Sequence, residues 1–264
     1  MKIFIFLLGL SIGSFLNVVI YRWSKGLSIK NPIFSICPKC GKTLKWYHNI
    51  PLISYLFLRG KCAYCKSPIS IRYPLVELLT AFFLLFIYLK FKPYYGWITF
   101  LGFSFFILIL IPITFIDLET KEIPDKLSLG LIFVGILFSL FGFNPLLNFE
   151  TSLLSALSGI GLLFLINELY YQVSKRDGLG MGDFKLMGGI GAFLGYKSFY
   201  WILIIASLTG IFAFLGIYIR YKIKGISKEL NLKTEIPFGP FLSLASIIYL
   251  LVGTVVSLNS LGIR

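Results

Sequence analysis

Charged residues are scarce in this chain, and acidic residues are the scarcest of them. Only 14% of the 264 residues are charged, with 11 Asp and Glu against 25 Lys and Arg. Soluble domains usually carry about 25% charged residues, so the composition excludes an ordinary soluble globular protein. The abundance of Phe, Leu and Ile also excludes a disordered chain.

What the chain has instead is long hydrophobic runs. Its residues are 57% hydrophobic, and its mean hydropathy is +0.87. A bilayer-spanning helix needs about 20 mostly apolar residues, and eight segments approach that length. The sequence therefore predicts an all-α polytopic membrane protein with about eight transmembrane helices. The predicted spans are residues 3–20, 74–90, 97–116, 127–143, 152–172, 184–196, 199–219 and 237–257.

The sixth predicted span is short and rich in glycine, which predicts a helix that is tilted, broken or buried among others. No signal-cleavage site follows the first span, so we expect an uncleaved first helix with its N-terminus outside.

The cations predict the orientation of the spans. With eight spans and the N-terminus outside, 20 Lys and Arg fall in cytoplasmic loops and five fall outside. This asymmetry is the positive-inside bias of membrane proteins. The loop 21–73 alone carries ten cations and no acid, and the loop 220–236 carries five. Since topology accounts for the bias, we expect membrane lipid as a partner and no nucleic acid.

All four cysteines lie in the loop 21–73, as Cys37-Pro-Lys-Cys40 and Cys62-Ala-Tyr-Cys65. Two Cys-x-x-Cys pairs separated by 21 residues fit a four-thiolate zinc site, one residue beyond the usual spacing. Four protein ligands leave no open position, so the zinc would be structural. Two disulfides are the alternative, but they would require an oxidising compartment. His48, between the pairs, is interpreted as a surface or interfacial residue.

Two of the scarce acids stand out because both fall at the cytoplasmic membrane face. Asp117 ends the third predicted span, and Asp183 closes Gly180-Met-Gly-Asp183 and opens the sixth. A carboxylate at such a depth is costly and is a functional candidate. Two neighbouring carboxyl groups could share a proton, one activating water and the other polarising a carbonyl, which is aspartic-protease chemistry.

Simpler roles for these acids stay open at this stage. Asp117 and Asp125 could be loop acids balanced by nearby lysines, and Asp125 or Asp183 could cap the helix that follows. Lys185 could approach Asp183 and favour its ionised form. Glu168, in the fifth span, is either buried and functional or an interfacial carboxylate.

Several motifs together resemble the type IV prepilin leader peptidases, the GxGD class of membrane aspartyl proteases. The similarity covers nearly the whole chain, and the order and spacing of the motifs make it specific. The motifs are Gly13-Ser-Phe-Leu-Asn-Val-Val-Ile-Tyr-Arg22, the two cysteine pairs, Asn49-Ile-Pro-Leu-Ile-Ser54, Arg59-Gly-Lys-Cys62, Arg72-Tyr-Pro-Leu-Val-Glu77, Asp117-Leu-Glu-Thr-Lys-Glu-Ile-Pro-Asp125, Gly180-Met-Gly-Asp183 and Ile236-Pro-Phe-Gly-Pro-Phe-Leu242.

The resemblance implies a peptidase of the bacterial inner membrane that removes the basic leader of prepilins or pseudopilins at the cytoplasmic face. Asp117 and Asp183 would be its catalytic pair. Asp125 would replace Asp117 as the candidate only if a variant without Asp117 cleaved normally. The resemblance also implies N-methylation of the new N-terminal residue from S-adenosylmethionine, through residues that the sequence does not identify. Glu77 would then have a structural or methylation role.

On this interpretation the chain has three parts: a first transmembrane helix (1–20), a cytoplasmic zinc-binding loop domain (21–73) and a transmembrane protease core (74–264). Three alternatives remain at this point. The chain could be a member limited to proteolysis, a transporter or channel with a regulatory zinc loop, or a non-enzymatic assembly factor anchored through that loop.

Overall fold

The computed structural model describes residues 1–28, 34–223 and 237–253. These residues form helices and no strand, apart from isolated bridges that join Ile36 to Thr43 and Lys61 to Pro68. The all-α prediction is confirmed for this part of the chain.

The α-helices are α1 (Lys2–Ser24), α2 (Ile53–Phe57), α3 (Arg72–Thr120), α4 (Asp125–Leu140), α5 (Phe149–Ser174), α6 (Met181–Leu194), α7 (Phe199–Ile223) and α8 (Gly239–Ile248). Short turns at Trp46–Asn49 and Tyr196–Ser198 are 3-10 helical, and a π-helical turn at Tyr249–Gly253 extends α8.

Four helical stretches among the described residues are long and apolar enough to cross a membrane. They are Lys2–Ser24, Arg72–Thr120, Phe149–Ser174 and Tyr196–Arg220. The helices α4 and α6, on which the fourth and sixth predicted spans fall, are shorter, with 16 and 14 residues. Residues 224–236 of the predicted basic loop and residues 254–257 of the last predicted span lie outside the described residues.

The longest helix, α3, is bent back on itself at a single residue. Gly96 has φ 84° and ψ −169°, a backbone conformation that side chains rarely tolerate and that no α-helix contains. Aromatic rings then meet across the bend, with Phe91 stacked on Phe103 at 4.3 Å between ring centroids. Each arm has about 24 residues and is about 36 Å long, enough to span a bilayer. The second and third predicted spans fall on these two arms.

One compact unit of the chain comprises Met1–Pro112. Within it, α1 packs closely against the start of α3 because two glycines of α1 have no side chain. A Cβ added at Gly9 would lie 2.5 Å from the Cα of Ala81, and one added at Gly13 would lie 2.7 Å from the Cα of Glu77. Small residues that let helix backbones approach are the usual means of joining helices in lipid.

The second compact unit begins at Ile113 and is built around α6. From Asp183 to Leu194 every residue of α6 except Lys185 is buried. The helices on either side approach through glycines: a Cβ added at Gly135 of α4 would lie 2.7 Å from the Cβ of Ala192, and one added at Gly159 of α5 would lie 2.8 Å from the carbonyl oxygen of Met187. The expectation that the glycine-rich sixth segment is buried among other helices is confirmed.

We predict that Gly191→Ala destabilises the protein, because the new methyl group would press on the backbone carbonyl of Ser155, which cannot rotate away. Overpacking of this kind costs about 1–3 kcal/mol. Gly161→Ala in α5 is the matched control, since nothing lies within 4 Å of its added methyl group. Thermal unfolding in detergent should give a lower Tm for the first variant and an unchanged or higher Tm for the second. Equal Tm values would contradict this account of the α5–α6 contact.

Candidate active site and four-cysteine cluster

Asp117 lies in the last turn of α3 and is only 4% exposed. Its carboxylate is covered by the start of α8, where a Cβ added at Gly239 would lie 2.5 Å from Asp117 Oδ2. Only glycine at position 239 lets α8 begin so close to the carboxylate. The geometry thus ties the end of one helix to the beginning of another around a single acid.

Asp183 is the third residue of α6 and is 8% exposed. Its Oδ2 accepts a hydrogen bond of 3.0 Å from the backbone N–H of Gly180, the residue before the helix. The sequence left open a helix-capping role for Asp183, and the structure places it inside the first turn, satisfying one N–H of the helix start. This bond uses one carboxylate oxygen and leaves the other for a different partner.

The structure brings Asp117 and Asp183 together. Ile123, in the turn between α3 and α4, contacts a neighbour of each aspartate. It lies against Gly182, which precedes Asp183 in the chain, and against Gly239, which covers the carboxylate of Asp117. These contacts place both carboxyl groups around one side chain. Among the described residues, Asp117 Oδ2 and Asp183 Oδ1 are buried oxygens without a hydrogen-bond partner. Two such oxygens are suited to bind water or a polar substrate.

The loop that carries Gly180 is held by a residue that the sequence reasoning missed. Asn167 of α5 accepts hydrogen bonds at its Oδ1 from the backbone N–H groups of Gly178 (2.8 Å) and Leu179 (3.0 Å). Its Nδ2 donates to Asp177 Oδ1 at 3.2 Å. A polar amide within the apolar run of α5 was the available signal, since a buried amide needs partners. The sequence instead singled out the neighbouring Glu168 as a candidate, and that residue is exposed.

The remaining acid of interest, Asp125, lies outside this arrangement. It is exposed, and its Oδ1 pairs with Lys185 Nζ at 2.7 Å. Lys185 thus pairs with Asp125, and its suggested effect on the ionisation of Asp183 finds no support in this contact. Asp125 is the first residue of α4, which follows Pro124, so its predicted capping role is wrong by one position.

The four cysteines form one cluster. The sulfur atoms of Cys37, Cys40, Cys62 and Cys65 all lie within 4.8 Å of one another, and all four are free thiols. The Sγ atoms of Cys37 and Cys65 are 3.9 Å apart. A tetrahedral zinc site with bonds of about 2.3 Å requires sulfurs roughly 3.8 Å apart, so the cluster fits a metal ion. The disulfide alternative finds no support in free thiols.

Each cysteine pair sits in the same backbone turn. In the first, the N–H of Cys37 donates to Lys42 O and the N–H of Gly41 donates to Cys37 O. In the second, the N–H of Cys62 donates to Ser67 O and the N–H of Lys66 donates to Cys62 O, at identical sequence offsets. The two turns are closed by the isolated bridges described above. Because the two turns have the same geometry, they bring the four sulfur atoms into one cluster. The turns do this through backbone hydrogen bonds, without a hydrophobic core.

Hydrogen bonding tunes one of the thiols. The pKa of Cys65 is lowered to about 6 because the hydroxyl of Ser67, 3.1 Å from the sulfur, and the backbone of Ser67 stabilise its thiolate. The thiolate is the form that binds metals. His48 lies between the rings of Tyr47 and Tyr64, at 4.5 and 5.5 Å between centroids, and outside the cluster, consistent with its interpretation as a non-ligand.

We predict that Asn167→Ala speeds hydrogen exchange at the amides of Gly178 and Leu179, because the substitution removes their acceptor. Loss of a hydrogen bond worth about 1 kcal/mol corresponds to roughly fivefold faster exchange. Mass spectrometry of deuterated peptides that cover 175–182 would measure this change. Glu168→Ala, at the adjacent exposed position, is the control and should leave exchange unchanged. Unaltered exchange in Asn167→Ala would show that the loop does not depend on this side chain.

The sequence matches known protein families over most of its length. Residues 7–91 match the model of the bacterial Peptidase A24 N-terminal domain, and residues 104–215 match that of the type IV leader peptidase family. Curated relatives named "Prepilin leader peptidase/N-methyltransferase" include the protein from Neisseria gonorrhoeae, 40% identical over 78% of this chain and 78% of its own. Two other relatives match over more of their length. The protein from Aeromonas hydrophila is 34% identical over 94% of this chain and 90% of its own, and the protein from Legionella pneumophila is 37% identical over 92% of this chain and 88% of its own. No solved structure matches the chain significantly.

The first matched region contains the cysteine cluster and the second contains both buried aspartates, whereas Gly239 lies beyond the second. The relatives exceed 30% identity and are covered over more than two thirds of their length. The chain belongs to the type IV leader peptidase family.

Proposed function

We propose that this protein is a prepilin leader peptidase with N-methyltransferase activity, and that Asp117 and Asp183 perform the cleavage. The names of its relatives support the activity. The observation that supports the catalytic pair is the convergence of two buried carboxyl groups, each with one oxygen that lacks a partner among the described residues. The substrate would be a prepilin or pseudopilin with a basic leader and an apolar helix.

The chemistry requires the two carboxyl groups to differ in protonation. Like charges so close together cannot both ionise readily, so the pair shares a proton. The ionised aspartate takes a proton from a water molecule, whose oxygen attacks the scissile carbonyl carbon, while the protonated aspartate donates to the carbonyl oxygen. Collapse of the tetrahedral intermediate breaks the C–N bond: the first aspartate gives its proton to the leaving amine, and the second aspartate takes back a proton from a hydroxyl of the intermediate as the product carbonyl forms. No covalent intermediate with the enzyme forms.

We further propose eight membrane spans with the N-terminus outside and the cysteine loop in the cytoplasm. The count is supported by α3, whose two arms are each long enough to cross, and the orientation by the 20 to 5 division of cations. This topology places Asp117 and Asp183 at the cytoplasmic face, where an inserted prepilin would present its cleavage site. The parts of the chain would be the first helix (1–20), the zinc loop domain (21–73) and the protease core (74–264).

The metal at the four-cysteine cluster is proposed to be structural zinc. Four thiolates at tetrahedral spacing favour this ion and leave no position for a substrate or water. The loop has little core of its own, so metal binding would provide much of its folding free energy. The ligands would be Cys37, Cys40, Cys62 and Cys65.

Methyl transfer is proposed from the names of the relatives, with S-adenosylmethionine as the methyl donor. The donor would supply a methyl group to the amine that cleavage exposes. A transporter is not favoured, since the relatives are named as peptidases and methyltransferases.

We predict that Asp117→Asn and Asp183→Asn each reduce prepilin cleavage more than about a hundredfold, since general acid–base catalysis contributes at least that factor. Asn keeps the size and polarity of the side chain but cannot exchange the proton. Asp125→Asn is the control and should retain activity, because Asp125 is exposed and pairs with Lys185. Mass spectrometry of a prepilin incubated with purified enzyme in detergent reports cleavage and methylation together. Normal cleavage by either of the first two variants would remove that residue from the mechanism.

We predict about one zinc ion per chain in the purified protein, measured by mass spectrometry of the metal. Cys62→Ser should remove it, because three thiolates and a hydroxyl hold zinc poorly and Cys62 is buried at the cluster. Ser54→Ala, in the same loop, is the control and should retain the ion, because the hydroxyl of Ser54 donates to Ile50 O and contacts no ligand. A different metal, or zinc retained in Cys62→Ser, would contradict the proposed site.

A further inference from the structure

The short helix α2 exposes large apolar side chains on one side. Ile53, Leu56 and Phe57 are 52%, 73% and 84% exposed. Positions three and four apart share a face of a helix, so these three side chains form one apolar patch, which we call the α2 patch. Tyr55 points the other way, with its hydroxyl 3.5 Å from Ile69 O in the same loop. The α2 patch is therefore the side of the helix that the described residues of the loop leave uncovered.

A partly buried hydrogen bond ties the residue before the α2 patch to the first turns of α3. The backbone N–H of Leu52, the residue before α2, donates to Glu77 Oε2 at 2.9 Å. Glu77 is 7% exposed and lies five residues after the start of α3, about 8 Å along its axis. Leu52 adopts φ 59°, which a leucine rarely does, so the contact holds a strained residue in place. The predicted span 74–90 begins three residues before Glu77, so Leu52 is tied to the first turn of that span, near the boundary between headgroups and acyl chains where interfacial helices lie.

Positive charge lies directly beside the α2 patch. Arg59 and Lys61 follow α2 and are exposed, and the loop 21–73 contains no acidic residue. An apolar patch bordered by cations is complementary to the surface of a membrane that contains anionic lipids. A basic prepilin leader would be repelled by the same charges, which disfavours the substrate as the occupant.

We propose that α2 is an interfacial anchor, whose patch of Ile53, Leu56 and Phe57 inserts into the anionic leaflet beside α3. Glu77 acts as a positioning residue that holds Leu52 at the depth required. The cysteine loop would then be attached to the bilayer at three points: the end of α1, the start of α3 and α2. The proposal depends on α1 and α3 crossing the membrane, but not on the catalytic roles of the aspartates.

The test is photo-crosslinking in the full chain. Phe57→p-benzoylphenylalanine, in protein reconstituted into vesicles of phosphatidylcholine and phosphatidylglycerol, should give lipid adducts on the peptide that contains residue 57, identified by mass spectrometry. Tyr64→p-benzoylphenylalanine is the matched control, since the ring of Tyr64 packs on His48, and should crosslink within the loop. Adducts at position 57 only to a prepilin or to a second copy of the chain, or no adduct there, would overturn the proposal.

Two further arms test the positioning residue and the charges. In the crosslinker background, Glu77→Ala should reduce lipid adducts severalfold, whereas Glu77→Gln should keep them, because its amide oxygen can still accept from Leu52. An unchanged adduct yield in Glu77→Ala, with zinc content intact, would overturn the role of Glu77.

Vesicles of phosphatidylcholine alone should give a lower yield than vesicles with phosphatidylglycerol, and equal yields would overturn the contribution of Arg59 and Lys61. Prepilin cleavage in detergent, measured in parallel, separates failure of this proposal from failure of the proposed function.

Discussion

The arrangement of the second unit depends on the close approach of helix backbones to α6. In lipid there is little hydrophobic driving force between helices, so association relies on van der Waals contact and polar bonds. Gly135 and Gly159 allow α4 and α5 to lie directly against α6, and Gly191 receives the backbone of α5 in return. A helix held this tightly has a fixed register, and the position of its first turn is fixed with it. Asp183 lies in that turn, so its placement follows from contacts made further along the same helix.

Both candidate catalytic residues occupy helix termini, and this solves a physical problem. A carboxylate in the middle of an apolar span would be costly to bury, whereas the end of a helix offers N–H donors and access to water. Asp183 uses the N–H of Gly180, and Asp117 is covered by the glycine that begins α8. The loop before Asp183 is itself fixed by the amide of Asn167. Polar groups of three elements therefore hold two acids without any direct bond between the acids.

The sequence was informative where composition and spacing restrict the possibilities. Long apolar runs allow little besides helices in a membrane, and two Cys-x-x-Cys pairs allow few arrangements, so the helical fold and the cysteine cluster were predictable. The pairing of Lys185 was not, because proximity in sequence says nothing about Asp125, sixty positions away. Asn167 could not be identified because two of its three partners are backbone N–H groups, which carry no signature in the sequence. The hydrogen bond between Glu77 and Leu52 was hidden for the same reason, although Glu77 itself had been noticed.

The contacts of Ile123 have an evolutionary consequence. One side chain fills the space between two glycines, Gly182 and Gly239, which lie in different helices and adjoin the two aspartates. A larger residue at any of the three positions displaces one of the carboxyl groups, and a smaller residue at position 123 leaves a void between them. We therefore expect natural variation at these sites to be coupled, with a change of volume at one position matched by a change at another within the same lineage. Covariation among homologues should link three positions that are far apart in the chain.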